Sequence, residues 1–319
     1  MREMLELNPG VKSRVNRYLD FPDYTDEELC AIFRMQARKN RERVIIVTKG
    51  CHPSPWRQDR VHDFDLEADI NDSLCKLQTD YIDIYQFHNP AFCPMPGGED
   101  GLYDEAMKAK KEGKIRFISI TNHRLGVARE AIASGLYASL QFPYSYLSGK
   151  EEESLVEGCR EKGMGFIAMK GMAGGLIRDG LTAAAYMETK PGVVPIWGVQ
   201  REAELDQFLS AVKNGALLTE ERLVAIEKDR AELCGDFCRG CGYCMPCPQG
   251  IQINQCARMV LMARRAGERD WKTEYWQSEM KKVENCVHCN QCASKCPYGL
   301  DTPALLRENY EEYWKILAT

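Results

Sequence analysis

Cys286-Val287-His288-Cys289-Asn290-Gln291-Cys292-Ala293-Ser294-Lys295-Cys296-Pro297 reads C-x2-C-x2-C-x3-C-P without deviation, the spacing that holds [4Fe–4S] clusters. A thiol every third residue lets a short loop wrap one corner of a cubane, in which each iron takes one sulfur from the protein. The fourth cysteine, ahead of a proline that stops the loop, serves the other cluster where two are present. Upstream lies a second run, Cys238, Cys241, Cys244, Cys247 and Pro248, one residue shorter in its last gap. Together the runs predict two clusters with crossed ligands: Cys238, Cys241 and Cys244 with Cys296, and Cys286, Cys289 and Cys292 with Cys247. The runs also open two half-repeats, Cys247-Pro248-Gln249-Gly250-Ile251 and Cys296-Pro297-Tyr298-Gly299-Leu300.

Two other readings compete. Eight cysteines suffice for two zinc ions, but zinc sites pair C-x2-C units and do not run three such steps together. A disulfide framework belongs to small secreted chains, and Met1–Gly10 has no signal-peptide pattern. The other seven cysteines (Cys30, Cys51, Cys75, Cys93, Cys159, Cys234, Cys256) are scattered, as in a reducing cytoplasm, which is the expected location. The chain has 319 residues, 44% hydrophobic and 28% charged, enough for one large and one small domain. A net charge of −5 offers no excess for neutralising phosphates, so nucleic acid is not an expected partner. No stretch approaches the roughly 20 apolar residues of a membrane span.

Ahead of the thiols the chain alternates short apolar runs with amphipathic stretches. The runs are Val44–Thr48, Tyr81–Phe87, Ile115–Ile120, Tyr137–Phe142, Gly165–Met169 and Val193–Trp197. Each is β-branched or aromatic and bounded by turn residues, which predicts buried parallel strands. Helical stretches follow at Leu66–Leu77, Tyr103–Glu112, Leu125–Ser134, Glu152–Lys162 and Glu202–Val212. This βα rhythm predicts an α/β fold, a (β/α) barrel more than an open sheet, and no G-x-G-x-x-G follows a strand. Met1–Glu42 supply one weak strand, Arg17–Phe21, and a helix from Thr25 to Lys39 with Thr25 and Glu28 as a capping box. The expectation is an incomplete (β/α)8 TIM barrel over residues 1–218, lacking at least its first strand and so exposing unpaired backbone on the neighbours. Residues 219–319 carry helical segments at Glu220–Leu233, Ile253–Ala266, Thr273–Glu284 and Pro303–Leu317 around both thiol runs. A small, mostly helical dicluster ferredoxin-like domain is expected there.

Barrel active sites collect at the C-terminal ends of the strands. Those positions carry Lys49, His88, Thr121-Asn122-His123, Gln141 with Tyr144, and Lys170-Gly171. A lone strand-end lysine is often a solvated one, and a lone histidine is more often structural than catalytic. A lysine and a histidine that converge on one carbonyl, however, can polarise it for reduction.

At these residues the chain resembles the aldo-keto reductase family, and specifically members with a C-terminal ferredoxin-type domain. The resemblance runs from Tyr18 onward through Val44–Gly50, Asp80–His88, Gly113–His123, Leu140–Leu147 and Cys238–Ile251. It implies an Asp, Tyr, Lys, His tetrad in which tyrosine protonates a substrate carbonyl while NAD(P)H gives hydride. On that resemblance Lys49 is the family lysine and His88 the family histidine. Asn122 and Gln141 fall where the nicotinamide carboxamide is held, with Thr121 and Lys170 beside them, and Tyr144 lies close to the ring-stacking position. Asp20 and Tyr24 stand in for the acid pair of the D-T-A-x-x-Y-G motif, one residue short of its spacing. Trp197-Gly198-Val199-Gln200 occupies the place of the cofactor-phosphate contacts, where Arg201 is the nearby cation.

Nicotinamide passes two electrons as hydride, whereas a cubane passes one at a time. A flavin would bridge them, and no motif identifies a flavin site. Three readings stand open: an NAD(P)H-linked carbonyl reductase with clusters attached, a barrel fed by its clusters from a redox partner protein, and a degenerate barrel serving electron transfer or assembly. Each implies a small-molecule substrate or a protein partner; the sequence leaves substrate identity and oligomeric state unread.

Overall fold

The computed structural model of the chain describes residues 31, 35, 40–50, 65–199, 201–233, 237–265 and 271–318. The expected strand Arg17–Phe21 and the helix from Thr25 lie outside the described residues. Six parallel strands form one sheet in sequential order: β1 (Val47–Gly50), β2 (Ile82–His88), β3 (Ile115–Thr121), β4 (Ser139–Pro143), β5 (Gly165–Met169) and β6 (Val193–Pro195). Helices follow the strands: α1 (Leu66–Leu77), α2 (Leu102–Lys111), α3 (Leu125–Ser134), α4 (Lys150–Glu161), α5 (Gly180–Glu188) and α6 (Glu202–Asn214). This is an incomplete (β/α)8 barrel, with β1 and β6 as the edges of the sheet among the described residues.

Each expected strand is present, with displaced ends. β1 begins at Val47 rather than Val44 because the Ile46 N–H turns to the Asp83 carboxylate (2.9 Å). That carboxylate is further held by Arg41 (2.8 Å) and Arg116 (2.9 Å). β6 stops at Pro195, and Trp197, expected within the strand, stacks on Phe208 with ring centroids 4.5 Å apart. Helix α5 lies between β5 and β6 and has no amphipathic stripe, because most of its residues are buried on every side.

Alternation along β2 separates the two faces of the sheet. The Tyr85 hydroxyl donates to Asp69 on α1 (2.9 Å), and Phe87 meets Tyr137 edge-on, so both face the helices. Gln86 and His88 therefore face inward. Register carries the inner face across the sheet: Lys49 lies beside Gln86, Ser119 beside Gln86, Thr121 beside His88, and Gln141 beside Thr121. Further down the same face, Val47, Phe117 and Val194 are 42%, 46% and 61% exposed, so the concave side is not filled by the described residues.

The helices start on specific caps. Asp65 accepts from the Ala68 N–H (2.9 Å) at the head of α1, and Gln78 closes that helix in the left-handed conformation. Asp65→Ala is expected to cost about 1 kcal/mol in a urea melt followed by circular dichroism, the usual loss of an N-cap.

Beyond α6 come α7 (Glu220–Glu232), α8 (Ile253–Cys256), α9 (Met259–Arg265), α10 (Glu274–Lys281), α11 (Gln291–Ser294) and α12 (Thr302–Ala318). The continuous helix expected over Ile253–Ala266 is broken at Ala257 and Arg258, where the arginine turns into the interior. A second hydrophobic core, built on Trp271, Trp276, Met280, Leu306 and Tyr313, belongs to this region. Leu176, from the loop after β5, is buried in it, and Leu147 and Ala173 pack on both cores. Polar ties reinforce the junction: Arg230 Nε donates to the Tyr146 carbonyl (2.7 Å), and the Tyr146 hydroxyl and Arg265 both meet Asp229. No helix among the described residues is long and apolar enough to cross a membrane.

Candidate active site and thiol cradles

The eight run cysteines line two cavities. The first, of 340 Å³, is bounded by Cys238, Cys241, Cys244 and Cys296, with Arg239, Pro297 and Tyr298 in its wall. The second, of 380 Å³, is bounded by Cys247, Cys286, Cys289 and Cys292, and Cys244 also reaches its wall. Each cysteine run thus sends its last thiol to the cavity of the other. Among the described residues no three Cys, His, Asp or Glu side chains close on a point fit for one metal ion. The sulfurs surround volumes instead, as thiolates do when spread over the corners of a cubane.

Electrostatics fit such a centre. Burial raises the thiols of Cys238, Cys241 and Cys292, and pushes Cys244 up to about 12. Thiolates at these positions need a positive centre to hold them ionised, and iron supplies it. Arg258 lies beneath the first cradle: a Cβ on Gly240 would come 2.5 Å from its guanidinium carbon, which is why glycine stands there. Its Nε is buried with no hydrogen-bond partner.

The barrel mouth is assembled from the strand ends. Lys49 on β1 faces inward and is exposed to the open interior, where partial desolvation lowers its amine. His88 ends β2 and Thr121 ends β3, side by side. Gln141 is buried on β4, its amide N 3.5 Å from the Met169 sulfur. His123, after β3, is 5% exposed; its Nδ1 lies 2.6 Å from the Tyr298 hydroxyl, and its ring meets Tyr243 edge-on at 5.0 Å. Burial lowers its pKa to about 3, with Lys170, His88, Arg124 and Lys49 adding to the shift. His123 is therefore neutral, set among cations. Lys170, after β5, takes a left-handed φ of 59° and donates to the Arg239 carbonyl (3.3 Å). Burial lowers its amine too. Beside it, Gly171 has no room for a side chain, since a Cβ would meet the Trp197 ring at 2.5 Å.

Other expected site residues are placed differently. The Asn122 amide is engaged on both ends: Nδ2 donates to the Pro90 carbonyl (2.9 Å), while Oδ1 accepts from the N–H groups of His123 (2.9 Å) and Arg124 (2.8 Å). Its oxygen and one N–H are thus taken up in shaping the loop. Tyr144 packs its ring on Phe166 and its hydroxyl meets that of Tyr186 (3.3 Å), while the residue also lines the cavity at the ends of β4 and β5 beside Lys170 and Tyr298. Arg201 braces the start of α6 through Glu204 (2.8 Å) and the Arg178 carbonyl (3.2 Å). Asp20 and Tyr24 lie outside the described residues.

Three residues escape a reading by strand ends alone. Gln86 is fully buried on the inner face with both amide atoms unpaired; it is the polar inward position in Ile82–His88. Tyr298 enters the mouth from the second half-repeat, where the first has Gln249, and that difference was its signal in the sequence. Arg258 carried no signal, since it sits in what reads as a continuous helix. Between the ends of β4 and β5 and the thiol region opens a cavity of 470 Å³, with Ser145, Ser148, Glu152, Lys170, Arg239 and Tyr298 in its wall.

A parallel βα barrel with polar strand ends under a thiol-bearing helical region defines a barrel oxidoreductase with an iron–sulfur appendage. The profile of the Aldo/keto reductase family matches residues 18–191, so the chain belongs to that family; a 4Fe-4S dicluster domain matches residues 237–301. The uncharacterized oxidoreductase YqkF of Bacillus subtilis is 30% identical over 159 residues, which cover 47% of this chain and 49% of that protein. The 6-dehydroglucose reductase of Novosphingobium aromaticivorans is 35% identical over 82 residues, 26% of each. The chain thus spans no more than half the length of these curated relatives. A holo aldo-keto reductase from Bacillus halodurans aligns over 61% of this chain and 75% of its own at 23% identity, with a TM-score of 0.49. A Klebsiella pneumoniae enzyme solved with NADP and acetate aligns over 64% and 76% at 24% identity, with a TM-score of 0.48.

Proposed function

We propose that the chain is an iron–sulfur oxidoreductase that reduces a small carbonyl-like substrate at the barrel mouth, fed through two [4Fe–4S] clusters by a one-electron redox partner protein. Residues 1–218 act as the barrel and 219–319 as the cluster domain. Cys238, Cys241, Cys244 and Cys296 hold one cluster, and Cys247, Cys286, Cys289 and Cys292 the other. When bound, the clusters supply single low-potential electrons. The observation that carries this reading is the seat of the first thiol set on the strand ends. Tyr298, two residues past Cys296, meets His123 after β3, while Lys170 after β5 meets the carbonyl of Arg239 beside Cys238.

The chain's own residues supply binding and charge. Lys49 and His88 face the same interior and converge on a substrate oxygen, which they stabilise as it gains negative charge. Gln86 lies below them with a free amide to orient a polar group. The engaged Asn122 oxygen and the ion-paired Arg201 weigh against a nicotinamide in the family position.

A second reading, NAD(P)H-linked carbonyl reduction, is favoured by Lys49 and His88 standing where the family lysine and histidine stand. Anaerobic titration with NADPH, followed by nucleotide and tryptophan fluorescence, separates the two. We expect no saturable change with intact clusters; saturable binding at micromolar nucleotide would transfer the assignment to the second reading.

A further inference from the structure

Among the described residues Arg258 is the only buried arginine or lysine, at 7% exposed. It occupies the break between α8 and α9, and its guanidinium lies against the loop that carries Cys238 and Cys241. A Cβ on Gly240 would stand 2.5 Å from its Cζ, and one on Gly174 2.8 Å from its Nη1. Nη1 donates to the Gly174 carbonyl (3.3 Å) and Nη2 to the Gln255 side chain (3.4 Å), while Nε has no partner. No carboxylate among the described residues pairs with it. A buried charge without a counter-charge is strongly unfavourable, so the fold implies an anion at this place. The Cys238 and Cys241 sulfurs act on Arg258 and on Lys170 alike, and Lys170 and Arg258 also repel each other as like charges. Arg239 adds a third cation, standing in the wall of the first cavity itself, whereas no charged side chain stands in the wall of the second and Cys289 there is exposed.

We propose that Arg258, assisted by Lys170, is the buried counter-charge of the cluster bound by Cys238, Cys241, Cys244 and Cys296, and holds it at a higher reduction potential than the cluster bound by Cys247, Cys286, Cys289 and Cys292. An electron on the protein therefore rests beside the barrel mouth. Reduction adds one negative charge to a centre that is already anionic, and a fixed cation stabilises the more negative state, which raises the potential. Water at the exposed Cys289 also favours reduction of the outer centre. It acts from one face, however, whereas Arg258 and Lys170, with Arg239 in the cavity wall, act through the protein interior, where charges interact several-fold more strongly. Between the two thiol sets one electron moves and no bond changes. The reductant is a low-potential one-electron carrier protein, for which dithionite substitutes in the test.

The inference rests on the two-cluster reading, so iron content and EPR spin integration of the dithionite-reduced holoprotein come first; a single cluster ends both. With two present, EPR-monitored redox titration of the wild type, Arg258→Gln, Arg258→Lys and Lys170→Gln decides the inference alone. We expect two separate steps in the wild type. In Arg258→Gln the higher one should fall by roughly tenfold in its one-electron equilibrium constant, ~59 mV. Lys170→Gln should lower it less, Arg258→Lys should restore it, and the lower step should not move. If Arg258→Gln fails to load iron, Lys170→Gln carries the test, because its ammonium reaches the loop from the barrel side. A shift confined to the lower step, or unmoved potentials in every loaded variant, would overturn the proposal.

Discussion

Cys296→Ser is expected to halve the iron of the chain, from about eight atoms to about four, and to remove the cluster that Cys238, Cys241 and Cys244 line. Its neighbour in sequence, Cys292, should keep its own cluster, because Cys292 lies in the other cavity with Cys286 and Cys289. Cys247→Ser should produce the mirror image and spare the cluster of Cys238, Cys241 and Cys244. Loss of one thiolate removes binding energy that is also folding energy, since no preformed site exists in the unfolded chain. The damage in Cys296→Ser should spread to the barrel, because Tyr298 follows two residues later and holds His123. Iron analysis and EPR of Cys296→Ser beside Cys289→Ser check this. Loss of the same signal in both variants would show that each run keeps its own fourth ligand.

Acid should loosen the barrel mouth through His123. Burial, reinforced by Lys170, His88, Arg124 and Lys49, holds its pKa at about 3 in the fold against 6.5 for the free side chain. A lowered histidine pKa means that the unfolded chain takes up the proton first. Its contribution to stability is therefore complete above pH 6.5 and declines as the pH falls from 6.5 toward 3. The loss at the acid end is on the order of 5 kcal/mol, the free-energy equivalent of the shift. Protonation would also set another cation among Lys170, His88 and Lys49 and disturb the contact with Tyr298. Urea midpoints at neutral pH and at about pH 4 measure it, with the acid sensitivity expected to flatten in His123→Gln. Equal slopes for wild type and His123→Gln would rule out His123 as the source.

The barrel was legible because the strands sit in short apolar runs, with the central ones, β2 to β5, largely buried. Its errors were local: the start of β1 shifted where Asp83 captured the Ile46 N–H, and α5 has no stripe to read because it is buried on all sides. The thiol runs were legible from their spacing, and Cys247 and Cys296 each line the cavity of the opposite run; the crossed ligand sets belong to the proposed function. The mouth was less so. Lys49, His88, Thr121 and Gln141 lie on strands, where alternation fixes the side they face. Tyr144 lies one residue past β4, where alternation no longer applies, and it reaches both the Tyr186 hydroxyl and the cavity wall beside Lys170. Asn122 looked free because its partners are backbone groups, which a sequence does not mark. The contact of His123 with Tyr298 joins positions 175 residues apart, beyond any periodic pattern. Arg258 needed a helix break that its neighbours Ala257 and Met259 do not announce.

In the proposed two-cluster assignment each thiol run lends its last cysteine to the other, so the order of synthesis would constrain maturation. The outer set is complete only when Cys292 has left the ribosome, and the inner set only at Cys296, after all the barrel strands described here have been made. Iron loading is thus a late event on a chain whose barrel has had time to fold. The same crossing ties the mature protein together. A protease that cuts between Cys247 and Cys286 would leave two fragments, each contributing ligands to both centres. The nicked halves would stay joined until the iron is stripped away.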